Sequence, residues 1–179
     1  MFIRSIFLIS LLAGCSSAHS KVVLDPLISF EDSYNCLGSK QFSALLESAL
    51  VFDELPEPDN ANDILRGRLG ELAVPAEFRS RFGKPKLKVN QGTYTAEIPV
   101  EGIWHGAQLN TLIVIQTIES EGGFYLVFDD SRQRVMEAAK EAGFALPESG
   151  TAYRDADVMG VTIQVGEYAG KSALSCFNV

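Results

Sequence analysis

The longest regular pattern in this 179-residue chain is a pair of strand-like stretches, residues 93–104 and 107–118, that meet at His105-Gly106. Two residues between two such runs fit a tight hairpin, with glycine supplying the positive φ that the turn needs. Within the second stretch Leu112, Ile113, Val114 and Ile115 are apolar without a break. A strand wet on one side alternates, so this one is expected at the centre of a sheet and covered on both faces. A hairpin of this length commits the chain to an antiparallel sheet on which the remaining elements must pack.

Further strands follow from the same logic. Lys86-Leu87-Lys88-Val89 alternates, Gly122-Gly123 leads into an apolar run over residues 124–128, and Ala169-Gly170 joins residues 158–168 to 172–177 as a second hairpin. Helical periodicity appears elsewhere. Ser39 is placed to cap a helix reaching about Phe52, with Phe42, Leu45, Leu46, Ala49 and Leu50 on one face, before the prolines of residues 55–59 end it. Residues 61–72 predict a second helix through Ile64, Leu65, Leu69 and Leu72, although Gly67 and Gly70 each cost it about 1 kcal/mol. Pro75 opens a short helical segment ending at Gly83, with Phe78 and Phe82 turned inward. Ser131 caps a third helix whose apolar face is Val135, Met136, Ala139 and Ala142, with Asp129 and Asp130 at its positive end and Gly143 as its stop. The expected architecture is α+β: a mostly antiparallel sheet of five to six strands with N-terminal helices, and one helix inserted before the last hairpin. Its helices lie on one face of the sheet.

The first fifteen residues carry a different kind of signal. Arg4 precedes an apolar run to Leu12, and Leu12, Ala13, Gly14 and Cys15 follow in series. This resembles the lipobox of a bacterial lipoprotein signal peptide, whose small residues let a peptidase cut ahead of the cysteine. The apolar run is shorter than the ~20 residues that span a bilayer, which argues against an uncleaved anchoring helix. The resemblance implies that residues 1–14 are removed and that Cys15 is lipidated. The acyl chains then hold the protein stably on a membrane. Ser16 stands where sorting rules of the enterobacterial type place a retention Asp, so the expected location is the outer membrane, facing the periplasm. Residues 15–32 read as a tether that partly docks through Val22, Val23, Leu27, Ile28 and Phe30, and residues 33–179 as one domain. In an oxidising compartment the two remaining cysteines, Cys36 and Cys176, are expected to bond, stapling the start of the domain to its last strand. Two buried free thiols are the alternative.

Without residues 1–14 the chain holds 14 basic and 23 acidic side chains, a net charge of −9. Acidity on this scale argues against nucleic acid as a partner, because phosphate recognition needs basic surface. The charge is uneven. Residues 15–59 carry two bases against eight acids, residues 60–90 seven bases against three, and residues 91–179 five against twelve. The basic island of Arg66, Arg68, Arg79, Arg81, Lys84, Lys86 and Lys88 fits an envelope carboxylate, a lipid phosphate or an acidic partner. Solvated helix faces and intramolecular pairing are the commoner origin of such an island.

Reaction signatures are sparse. The histidines are His19, in the tether, and His105, at the hairpin turn; no His-Glu-x-x-His, cysteine pair or Gly-x-Ser-x-Gly is present, and neither metal nor cofactor is expected. Paired carboxylates are candidates for glycan cleavage, Glu97 with Glu101 on one strand face or Asp129 with Asp130. Asp155 and Asp157 lack the loop that would bind calcium. Trp104, Tyr94, Tyr125, Tyr153 and Tyr168 are candidates for an aromatic recognition surface, although most such residues are core or sheet-face. Of these Trp104, with His105 at a hairpin tip, is the candidate partner-binding residue, inserting into a cleft as protein inhibitors do. Packing of Trp104 over the sheet edge is the competing role. The expected function is therefore a lipid-anchored periplasmic binding protein without catalytic activity, with a protein partner. An inhibitor or immunity module for a cationic envelope-active protein is the concrete version. The alternatives are an outer-membrane assembly or maintenance lipoprotein and, third, a glycan or lipid hydrolase.

Overall fold

A computed structural model describes residues 21–54, 65–117, 122–154 and 160–178. Cys15, His19, Asp155 and Asp157 lie outside these residues, and with them the lipidation and calcium expectations. The long hairpin is present as expected: β6 (Thr93–Trp104) and β7 (Ala107–Thr117) pair from Thr93↔Thr117 to Trp104↔Ala107. Both turn residues take positive φ, 42° at His105 and 75° at Gly106, which matches the turn to the strand twist.

Around this hairpin the chain builds a fully antiparallel seven-stranded sheet. Its remaining members are β5 (Lys86–Asn90), β8 (Gly122–Phe128), β9 (Thr151–Arg154), β10 (Val161–Tyr168) and β11 (Lys171–Asn178). The order is β5-β6-β7-β8-β11-β10-β9. Strands β5 to β8 form a meander. Helix α2 (Arg132–Glu141) then carries the chain to the far edge at β9, from which β10 and β11 return to close against β8. Two further ribbons are β1 (Phe30–Asp32) with β2 (Leu37–Gly38), and β3 (Leu50–Glu54) with β4 (Leu65–Leu69).

Helix α1 (Lys40–Ala49) starts where predicted, with the Ser39 hydroxyl accepting from the Phe42 N–H at 3.4 Å. It stops three residues early, because Leu50, Val51 and Phe52 enter β3. The second predicted helix does not form. Its Leu65–Leu69 stretch is β4, and the glycines explain why: a Cβ on Gly67 would lie 2.4 Å from the Tyr94 ring, and one on Gly70 would lie 2.2 Å from the Ser48 carbonyl oxygen. These positions serve close approach, a role no helix requires. Residues 75–83 form turns and one 3-10 segment, Arg79–Arg81, in place of the short helix. The fold is thus mostly β, with one N-terminal helix where more than one was expected and seven sheet strands where five or six were.

Among the described residues, both helices pack on one face of the sheet. Leu24, Leu27, Ile28, Phe42, Leu45, Val135 and Ala139 join Trp104, Leu112, Leu126, Phe128 and Leu174 in a single cluster, all fully buried. Leu24, Leu27 and Ile28 of the expected tether are therefore core. Their start is pinned to the end of β6, where Leu24 N–H donates to the Ile103 carbonyl at 2.7 Å and Ile103 N–H to the Val22 carbonyl at 2.8 Å. Cys36 bonds to Cys176 across 140 residues, with 6.1 Å between the Cα atoms. The turn that presents Cys36 is shaped by Asp32, whose carboxylate accepts the N–H groups of Tyr34 at 2.9 Å and Asn35 at 3.3 Å.

Candidate functional site

The predicted partner-binding pair does not project. Trp104 is fully buried, its ring packed against Phe30 and Phe128 and its indole N–H donating to the Ile28 carbonyl at 2.8 Å. Core packing, the competing role, is the one it fills. His105 occupies the turn itself, but Asp25 accepts its N–H at 2.7 Å and Arg134 donates to its carbonyl. The segment before β1 and the first turn of α2 close over a tip that the sequence presents as free.

Among the described residues, neither helix packs on the sheet's other face. Its register places Tyr153, Thr162, Phe177, Gly123, Ile115, Thr95 and Lys88 in one row across all seven strands. The next row is Thr151, Gln164, Ser175, Tyr125, Ile113, Glu97 and Lys86. A small cluster of Ile113, Val127 and Ala173 is buried at the centre, packed against Ile115, Tyr125 and Tyr168, with no contribution from a helix or loop. The central strand is thus covered on both sides as its apolar run predicts. On this side, however, the sheet's own tyrosines do the covering.

Aromatic side chains form a ridge on this face: Tyr125 lies 4.8 Å from Tyr168 and 5.0 Å from Phe177, centroid to centroid, and Tyr153 is exposed at the far strand. Beside the ridge a cleft of about 200 Å³ is lined by Glu97, Asn110, Thr111, Ile113, Tyr168 and Lys171. Glu97 accepts from the Lys88 ammonium and from the Tyr168 hydroxyl, the latter at 3.5 Å. Burial pushes the Tyr168 phenol above its ordinary value, and the neighbouring Glu97 charge adds to the effect. The hydrogen bond to Glu97 holds the Lys88 ammonium above its own. On the opposite rim Lys171 meets Asp129 at 2.7 Å, and this hydrogen bond, with a second from Asn110, holds the Asp129 carboxyl below the usual range. An apolar floor between two fixed ion pairs can orient a polar group that approaches along the sheet.

The paired-carboxylate expectations are not assembled. A bulge between Pro99 and Gly102 shifts the strand register, and Glu101 lines a separate cleft with Arg81 and Gln108, away from Glu97. Asp130 accepts the Gln108 N–H while Asp129 faces Lys171, so these two also diverge. No group of three or more His, Cys, Asp or Glu that could hold a metal ion occurs among the described residues. The sequence offers Tyr125, Tyr153 and Tyr168 among the aromatics of a recognition surface but does not place them together; the alternation of Tyr125, Val127 and Phe177, Ser175 carries the signal, and two-sided burial in β7 masks which face is wet. Protein-family models, curated proteins and solved structures give no match to the chain.

Proposed function

We propose that this protein is a lipid-anchored binding module of the bacterial cell envelope that holds a protein partner on the outer face of its sheet. The observation that carries it is that face: a ridge of tyrosine and phenylalanine among threonine, serine and glutamine, with its carboxylates Glu97 and Asp129 held in ion pairs at the cleft rims, on an otherwise acidic chain. Depletion of charge and enrichment in tyrosine are what distinguish the centre of a protein interface from ordinary surface. An α+β arrangement with both helices on the inner face keeps this surface available. The Cys36–Cys176 bond fits an oxidising compartment, and the lipobox resemblance supplies an outer-membrane location facing the periplasm.

Inhibition of a cationic envelope-active protein stays the concrete version, with the contact moved from Trp104 to the sheet face. The test is capture of periplasmic and secreted proteins by the detergent-extracted full chain, compared with Tyr153→Ala and Tyr168→Ala. An anchoring tyrosine contributes about 2 kcal/mol, so each substitution lowers affinity roughly 30-fold. Retention unchanged by both substitutions rejects this face. An assembly or maintenance role predicts in addition that deletion makes an unchallenged outer membrane leaky, whereas loss of an inhibitor leaves it tight.

A further inference from the structure

The basic island has not been absorbed by this function, and the fold gathers part of it at one place. The edge of β6 away from β7 is covered by three segments in series: β5 along its first half, Phe82 bridged to Val100, and Val23 bridged in parallel to Ile103. Counting back from these bridges, Arg81 and Lys21 both approach Glu101 from opposite directions. The point where the chain enters the domain therefore adjoins the Arg79–Arg81 turn. Lys21, Arg79, Arg81, Lys84 and Lys86 all belong to this edge, and none has an ion-pair partner among the described residues. Val23 beside them is 51% exposed.

Resting on the lipoprotein assignment above, we propose that this sheet edge docks on anionic phospholipid headgroups, brought there by the short leash from Cys15. Six residue steps separate Cys15 from Lys21, at most about 20 Å of extended chain. A globular domain of this length is roughly 40 Å across, so a leash half as long holds the entry point toward the bilayer. Charge selects the lipid. Screening acts over about 8 Å at physiological salt, so charges beyond that reach of the docked edge count for little. The bilayer meets the local charges and not the net charge: five cations, with Glu77 and Glu101 as nearby acids and Asp129, in the cleft with Arg81, already paired to Lys171. Docked on this edge, the sheet stands upright, and the outer face beyond β5, up to the Lys171–Asp129 rim, stays open to a partner.

Backbone hydrogen exchange on the full, lipidated chain in vesicles tests this. Amides of residues 79–90 are expected to exchange about tenfold more slowly on phosphatidylethanolamine–phosphatidylglycerol vesicles than on phosphatidylcholine vesicles. Substituting Arg79→Glu, Arg81→Glu and Lys84→Glu together erases the difference. Equal exchange on the two lipids overturns the proposal. In a second arm the full chain with Cys15→Ala, which cannot be acylated, is floated with the same vesicles. Its preference for the anionic ones falls on the order of a hundredfold in the triple variant, about fivefold for each cation. A preference that survives the triple variant, or its absence in the parent, also overturns the proposal; protection of residues 79–90 by polyglutamate but by neither vesicle assigns the edge to an acidic protein instead. Mass spectrometry of Cys15 reads the anchor separately, since an unmodified thiol on a chain that still prefers anionic vesicles removes the leash and leaves the docking edge.

Discussion

Trp104 and Asp129 show what single side chains do here. Trp104 fills the space between Phe30 and Phe128 and satisfies the Ile28 carbonyl. Trp104→Ala is expected to cost about 3–5 kcal/mol through the cavity it leaves. Trp104→Phe keeps most of the volume but strands the carbonyl, for about 1–3 kcal/mol. Urea unfolding of both variants measures the two components. The Lys171–Asp129 pair acts differently, because both side chains are 46% exposed and the pair is worth less than about 1 kcal/mol. Asp129 titrates lower in the folded chain than in the unfolded one. Its contribution is full above the unfolded carboxylate value of about 3.9 and is lost as pH falls through the folded value. The stability gap between the parent and Lys171→Ala should hold steady near neutrality and close in acid, read from thermal melts across pH. At this scale the sequence told the type of position but not its surroundings. His105-Gly106 was legible as a turn, whereas the closure of Asp25 and Arg134 over it depends on partners 80 and 29 residues away.

Elements were legible where a local signal was sufficient. Ser39 and Ser131 begin their helices because a hydroxyl satisfies an otherwise unpaired N–H, at 3.4 Å in both cases. The two hairpins declare themselves through a two-residue turn with glycine second. The β3–β4 ribbon was hidden because Leu65, Leu69 and Leu72 also satisfy a helical period, and only the cost of two glycines spoke against it. That cost has a structural counterpart at Gly67, over which the Tyr94 ring lies, itself edge-on to Phe52 at 5.1 Å. Gly67→Ala would displace the ring and is expected to destabilise by about 1–3 kcal/mol, where a true helix would have gained from the same change. A shift of the thermal midpoint in the upward direction would contradict this account of β4.

For the whole molecule, an antiparallel sheet and helices on one side were legible from the alternation of patterns along the chain. The strand order was not, because pairing β11 with β8 in place of β9 is a long-range choice that no local residue encodes. The cysteine pairing could be reached because only two candidates remained. Its closure of a loop of about 140 residues is worth roughly 5 kcal/mol in the chain-entropy account. Replacing Cys36 and Cys176 together with Ala should lower the urea midpoint accordingly, with reductant having the same effect on the parent and none on the variant. The candidate surface was the least legible part, since Tyr125, Tyr168 and Phe177 become one ridge only once three strands lie side by side.

The same covalent link also sets how the molecule bears load. A pull through the amino terminus enters at residue 21 and strips residues 22–35 first, starting from the two hydrogen bonds that fasten them to Ile103. Tearing cannot run past Cys36, where tension passes into β11, clamped between β8 and β10 in the sheet interior. Whatever drags on such a domain can fray its hem but cannot unravel it from that end.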